Sequence, residues 1–125
     1  MNAARGVLLL HELPDGTSHI DWMFEERPGA ASLRSFRIAC RIDAADCPER
    51  FEATPTPNHR TAYLTYEGAV SGGRGTVRRL ASADAWVHAA DDASIELTCD
   101  WGLGPRRWRG QRAAADQWVF AQVRD

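Results

Sequence analysis

The stretch from Val7 to Phe24 constrains this chain more than any other. Residues 7–13 are apolar and β-friendly, Pro14-Asp15-Gly16 is a turn, and residues 18–26 alternate. In that second arm Ile20, Trp22 and Phe24 are apolar, with His19, Asp21, Met23 and Glu25 lying between and beyond them. A period of two marks a strand with one core face. Proline presets φ for a type I turn, and glycine takes the left-handed position after it. A type I turn with a bulged glycine closes a three-residue loop. Leu13 then pairs with Thr17, His11 faces His19, and Leu9 faces Asp21. Directly opposed residues project from the same face, so His11, His19 and Asp21 share a face with neighbouring Cβ atoms roughly 5–7 Å apart. Leu8, Leu10, Ile20, Trp22 and Phe24 take the opposite face, as core. A two-residue turn would break this alignment.

The rest of the chain carries the same kind of signal. Residues 33–41, 60–67, 76–80, 85–88, 95–101, 106–112 and 117–123 read as further short strands. Residues 43–57, with Pro48, Pro55 and Pro57, read as a loop with room for a short helical turn, and 68–75 is glycine-rich. Only the alanine-rich segment 81–93 hints at a helix, and its aspartates and Val87 interrupt it. Many short strands between turn signals predict an all-β, mainly antiparallel sandwich or barrel with little helix. At 125 residues there is room for one domain, 1–125, with one core.

A net charge of −2 excludes a uniformly basic nucleic-acid coat but leaves a local basic patch open. No apolar run has the length of a membrane span, and the first residues lack the apolar stretch of a signal peptide. The expectation is therefore a cytoplasmic protein with no membrane contact. Three cysteines without a CxxC spacing make neither a disulfide framework nor a cysteine zinc site.

Two imidazoles and a carboxylate on one face can hold a divalent cation and leave positions open for water or substrate. Mn²⁺, Fe²⁺ and Zn²⁺ all suit these ligands. The plainer alternative is a pair of surface histidines beside a solvated aspartate, and spacing alone favours it. His59 reads as lying on another strand, on one side with Thr61, Tyr63 and Thr65, from which it can converge on the same pocket. His88 reads as structural or surface. Arg106, Arg107, Arg109 and Arg112, with Trp101 and Trp108, suggest a basic, aromatic nucleic-acid surface that Arg74, Arg78 and Arg79 extend. The competing reading makes the tryptophans core. Gly72, Gly73 and Gly75 can bring backbone amides near a phosphate, or simply form a turn.

These residues resemble a known family. Leu10-His11-Glu12 followed by Ser18-His19-Ile20-Asp21-Trp22-Met23-Phe24-Glu25 resembles the LHYDLRLE signature of the 3′-phosphoesterase domain of bacterial DNA ligase D. Leu33-Arg34-Ser35-Phe36 is similar to that family's LKSW. The run from Asn58 through His59, Tyr63 and Gly68 is similar to its DHPLDYADFEG, and Gly72-Gly73-Arg74-Gly75-Thr76-Val77 to its GAGTV. Trp108-Arg109-Gly110 and Trp118-Val119-Phe120 resemble its last motif. The likeness runs in order over nearly the whole chain.

The resemblance implies a compact β-barrel whose concave side holds a polar site. It implies manganese-dependent removal of a 3′-phosphate or 3′-ribonucleotide from nucleic-acid ends in DNA repair. By position, His11, His19 and Asp21 match the metal ligands, His59 a histidine on the scissile phosphate, and Tyr63 a nearby tyrosine. The expected partners are DNA or DNA/RNA 3′ ends, with a ligase or polymerase as candidate partners in trans, and the expected state is a monomer. The chain departs from the family in three places. His11 and His19 are eight apart rather than six, Met23 stands where the family has a phosphate-binding arginine, and the family's PKGP lysine falls near Cys40, with Arg41 next door. Arg41, Arg50, Arg60 and Arg74 are the candidates to bind phosphate instead. A catalytically impaired module that binds nucleic-acid ends through the same pocket is the alternative, and a small protein-contact barrel is the third.

Overall fold

The computed structural model describes residues 3–124. Nine strands form a single antiparallel sheet: β1 (Ala4–Glu12), β2 (Ser18–Phe24), β3 (Leu33–Ile38), β4 (Arg50–His59), β5 (Gly68–Ala69), β6 (Thr76–Ala90), β7 (Ser94–Asp100), β8 (Pro105–Ala114) and β9 (Gln117–Gln122). Their order is β1-β2-β3-β4-β9-β8-β7-β6-β5, and β6 also pairs with β1. Eight strands thus close into a barrel-like ring, with β5 added outside it. The all-β expectation holds.

The first hairpin has the register that its turn dictates. Leu13 N donates to Thr17 O at 2.8 Å, Gly16 N donates to Leu13 O at 3.0 Å, and Gly16 has φ +88°. His11 lies opposite His19 and Leu9 opposite Asp21.

Three expectations need correction. The segment 43–57 is not all loop, because β4 runs from Arg50 to His59 through Pro55 and Pro57. It pairs with β9 only over Arg50–Ala53, so both prolines fall where the strand has a neighbour on one side. There a missing N–H costs no ladder bond. The segment 60–67 is not a strand: Thr61–Leu64 is a 3₁₀ turn, closed by Tyr63 N donating to Arg60 O at 3.1 Å. Its apolar residues do not line a sheet; Leu64 and Tyr63 pack down onto Val7, Leu9, Met23 and Leu33. Segments 76–80, 81–93 and 85–88 merge into one long β6, most of 81–93 included, which bulges against β1 and β7. Its small Ala83 and Ala85 face the crowded interior.

That interior is aromatic. Trp22, Phe24, Phe36, Trp108, Trp118 and Phe120 are fully buried. Trp22 lies 5.1 Å from both Phe24 and Phe120, and Phe51 lies 5.0 Å from Trp108, all tilted or edge-on as ring quadrupoles prefer. Gly110 makes this packing possible, since a Cβ there would meet the Phe120 ring at 2.4 Å. A second, smaller apolar cluster lies on the opposite face of β1, β2 and β3 under the 3₁₀ turn, and Met23 belongs to it.

Candidate metal centre

His11 and His19 approach each other across the β1–β2 ladder, with Nδ1 and Nε2 3.2 Å apart. Asp21 follows one pleat along β2. Its Oδ1 lies 3.3 Å from His19 Nε2 and its Oδ2 3.8 Å from His11 Nδ1. Three ligands on one ion, with bonds of about 2.1 Å at tetrahedral or octahedral angles, sit about 3.0–3.4 Å from one another. The three donor atoms lie within 4.8 Å of one another, somewhat wider than that, so a small closing movement of the side chains would seat a single cation on one side.

The neighbouring structure supports the same geometry. His11 Nε2 lies 2.7 Å from the Arg74 carbonyl. A carbonyl only accepts, so Nε2 carries a proton, and in the neutral ring the Nδ1 lone pair then faces the cluster. A histidine metal ligand is commonly oriented in this way. Gly75 allows the contact: at φ +91° it lies so close to β1 that a Cβ would meet the Glu12 oxygen at 1.9 Å.

Asp21 is buried, its side chain 8 % exposed, and Oδ1 accepts no hydrogen bond. Burial pushes its carboxyl above the usual range, against the pull of His19, His11, Arg37 and His59. Burial likewise lowers His19, with Asp21 opposing. The pocket thus holds a costly carboxylate beside an imidazole biased towards neutrality. A divalent cation resolves both, since it needs deprotonated ligands and supplies the missing charge.

His59 ends β4, half-buried, with its Nδ1 enclosed and unpartnered. Burial lowers its pKa while the Asp21 charge opposes. Its ring lies 5.6 Å from that of Tyr63, edge to face. His59 and Tyr63 are neighbours as expected, through a 3₁₀ turn rather than a shared strand. Ser35 Oγ and Thr56 Oγ1, opposite each other on β3 and β4, are also buried without partners. By strand alternation they lie on the face of Asp21 and Met23.

The site lies on the outer face of the ring, beneath residues 59–75, and not in its concave interior. Aromatic side chains fill that interior. A cavity of about 740 Å³ opens beside the site and reaches it through His19; Arg37, Thr54 and Gln117 also line it.

The arginine candidates are dispersed. Arg41 forks onto Asp43 at 2.8 and 2.7 Å. Arg50 begins β4 and lines separate hollows with Phe51 and with Arg109. Arg60 lines a small pocket with Tyr63 and Tyr66. Arg74 reaches the cluster by its carbonyl, while its guanidinium turns back to Ser71. The arginine-rich strand β8 is no open anion surface: Trp108 is core, Arg107 and Arg109 pair with Glu96, and Arg106 binds the carbonyls of Ile42 and Ala44. His88 is exposed beside Thr98. Cys99 is buried, and burial pushes its thiol up to about 12, so it is an inert core residue.

One cation beside the cluster escapes a reading of the sequence. Arg37 pairs with Asp21 in the β2–β3 ladder. No motif marks it, and the connection of residues 25–32 conceals the register.

The fold and site define a class: an all-β ring carrying a two-histidine, one-carboxylate cluster suited to a divalent cation. Compared with known proteins, the chain matches no protein-family model and no curated protein. Among the described residues, no helix is long and apolar enough to cross a membrane.

Proposed function

We propose that this protein is a metal-dependent phosphoesterase that trims 3′-phosphate or 3′-ribonucleotide ends of nucleic acid. The observation that carries this reading is the one-sided His11–His19–Asp21 cluster with His59 and Tyr63 beside it. The resemblance to ligase D phosphoesterases, which rests on motifs alone, supplies the substrate class.

His11, His19 and Asp21 would hold the ion, most naturally Mn²⁺, with Fe²⁺ or Zn²⁺ chemically compatible. When bound, the ion polarises a phosphate and acidifies water. The Arg74 carbonyl keeps His11 in the ligating tautomer. His59, whose pKa burial lowers, is the neighbouring imidazole that would accept a proton from an attacking water. Tyr63 supplies a phenolic donor for a phosphate oxygen. The 59–75 segment shields the buried side of the site from solvent.

A second reading has its own support. Met23 is 2 % exposed within an apolar cluster, so no guanidinium stands where the family holds one. A module that binds ends without turnover follows from that loss. Phosphate release from a 3′-phosphorylated primer–template with Mn²⁺, beside the His19→Ala variant, decides between them. Release that disappears in the variant supports the enzyme. Metal-dependent binding of ends without release supports the module.

A further inference from the structure

We infer that Arg37 is the anion-binding residue of this site. Its guanidinium takes a phosphate oxygen of a ligand seated in the cavity at the ring's end, while the same phosphate faces the His11–His19–Asp21 cluster. The inference rests on the phosphoester reading and replaces the phosphate contact that Met23 cannot make.

Arg37 stands opposite Asp21 in the β2–β3 ladder, and cross-strand neighbours project from the same face. Its charge is felt at both Asp21 and His19. Arg37 and His19 line the same cavity of about 740 Å³, a size typical of small-ligand sites.

Arg34 is held by Glu26 and the Asp91 carbonyl, Arg41 by Asp43, Arg74 by Ser71, Arg106 by loop carbonyls, and Arg124 by Glu49. Arg37 is exposed and takes part in no hydrogen bond or ion pair among the described residues. With no hydrogen bond of its own, the Arg37 guanidinium can fork onto an incoming anion.

The surroundings narrow the ligand. Leu10, Ile20, Ile38 and Ala53 form an apolar wall, while Glu52 and Asp116 add negative charge farther along. Those carboxylates disfavour a second phosphate in the cavity. The ligand is therefore one phosphate on an organic group of nucleoside size.

The test is titration calorimetry of Mn²⁺, of inorganic phosphate with Mn²⁺ present, and of thymidine 3′-phosphate with Mn²⁺ present. Wild type, Arg37→Gln, Arg37→Lys and His19→Ala are compared. Arg37→Gln is expected to weaken both phosphate ligands at least tenfold, with Arg37→Lys recovering part of the loss. It is expected to leave Mn²⁺ affinity unchanged or higher, because a cation beside Asp21 is removed. A merely structural role would weaken the metal as well, and that result overturns the inference. Unchanged phosphate affinity in Arg37→Gln, with loss in His19→Ala, overturns it while leaving the phosphoester reading intact. A wild type that binds Mn²⁺ but neither phosphate ligand overturns both.

Discussion

Gly75 and Glu12 touch so closely that no other residue fits at position 75. A Cβ on Gly75 would lie 1.9 Å from the Glu12 carbonyl oxygen, and the backbone at φ +91° is one that L side chains rarely adopt. The neighbouring Arg74 carbonyl is thereby set against His11.

Gly75→Ala should push the loop off β1. The expected cost is at least about 2 kcal/mol, from left-handed strain plus the clash. Mn²⁺ affinity should fall about 10–100-fold, since His11 loses the carbonyl that orients it. Urea unfolding and metal titration read the two effects separately.

Asp21→Asn should separate stability from function. The buried carboxyl of Asp21 is raised, so its charged form burdens the folded state at neutral pH, and that burden eases as pH falls through its folded value. The amide removes the burden. In chelator the variant should melt at the same temperature as wild type or higher, while Mn²⁺ no longer raises its Tm.

His59 gives a pH dependence of opposite sign. Burial lowers its folded pKa, so below about pH 6.5 the unfolded chain binds a proton that the folded chain resists. Stability is full above the unfolded pKa and declines as pH falls from there towards the folded value. His59→Gln should shallow this decline, and His19, also lowered, should keep part of it. Denaturant midpoints between pH 5 and 8 measure the slope.

Met23→Arg should not restore a phosphate clamp. Met23 packs with Val7, Leu9, Leu33 and Leu64, so an arginine there buries charge in an apolar cluster. A loss of about 3 kcal/mol or more is expected, against less than about 1.5 kcal/mol for Met23→Leu. Thermal melts of both variants decide this.

The parts of the site set by local chemistry are legible in the sequence. The Pro14-Asp15-Gly16 turn determines the pairing of His11 with His19, and strand alternation places Asp21 on their face. Parts that depend on distant register are not. Arg37 meets Asp21 only because β3 returns at one particular offset after residues 25–32. Pro55 and Pro57 signal a loop locally, and only the short β4–β9 pairing shows why a strand tolerates them. Tyr63 and Leu64 alternate like strand residues, yet the apolar cluster on the outer face draws them into a turn. The alanines of β6 look helical until the aromatic interior opposite them is known.

The most direct test of the central claim is Mn²⁺ titration of the purified protein, by calorimetry and by the spin-resonance signal of the free ion. One ion per chain should bind to wild type, and binding should be lost in His19→Ala and in Asp21→Asn while both variants stay folded. A wild type that binds no divalent ion, or variants that bind as well as wild type, would contradict a metal centre at His11, His19 and Asp21.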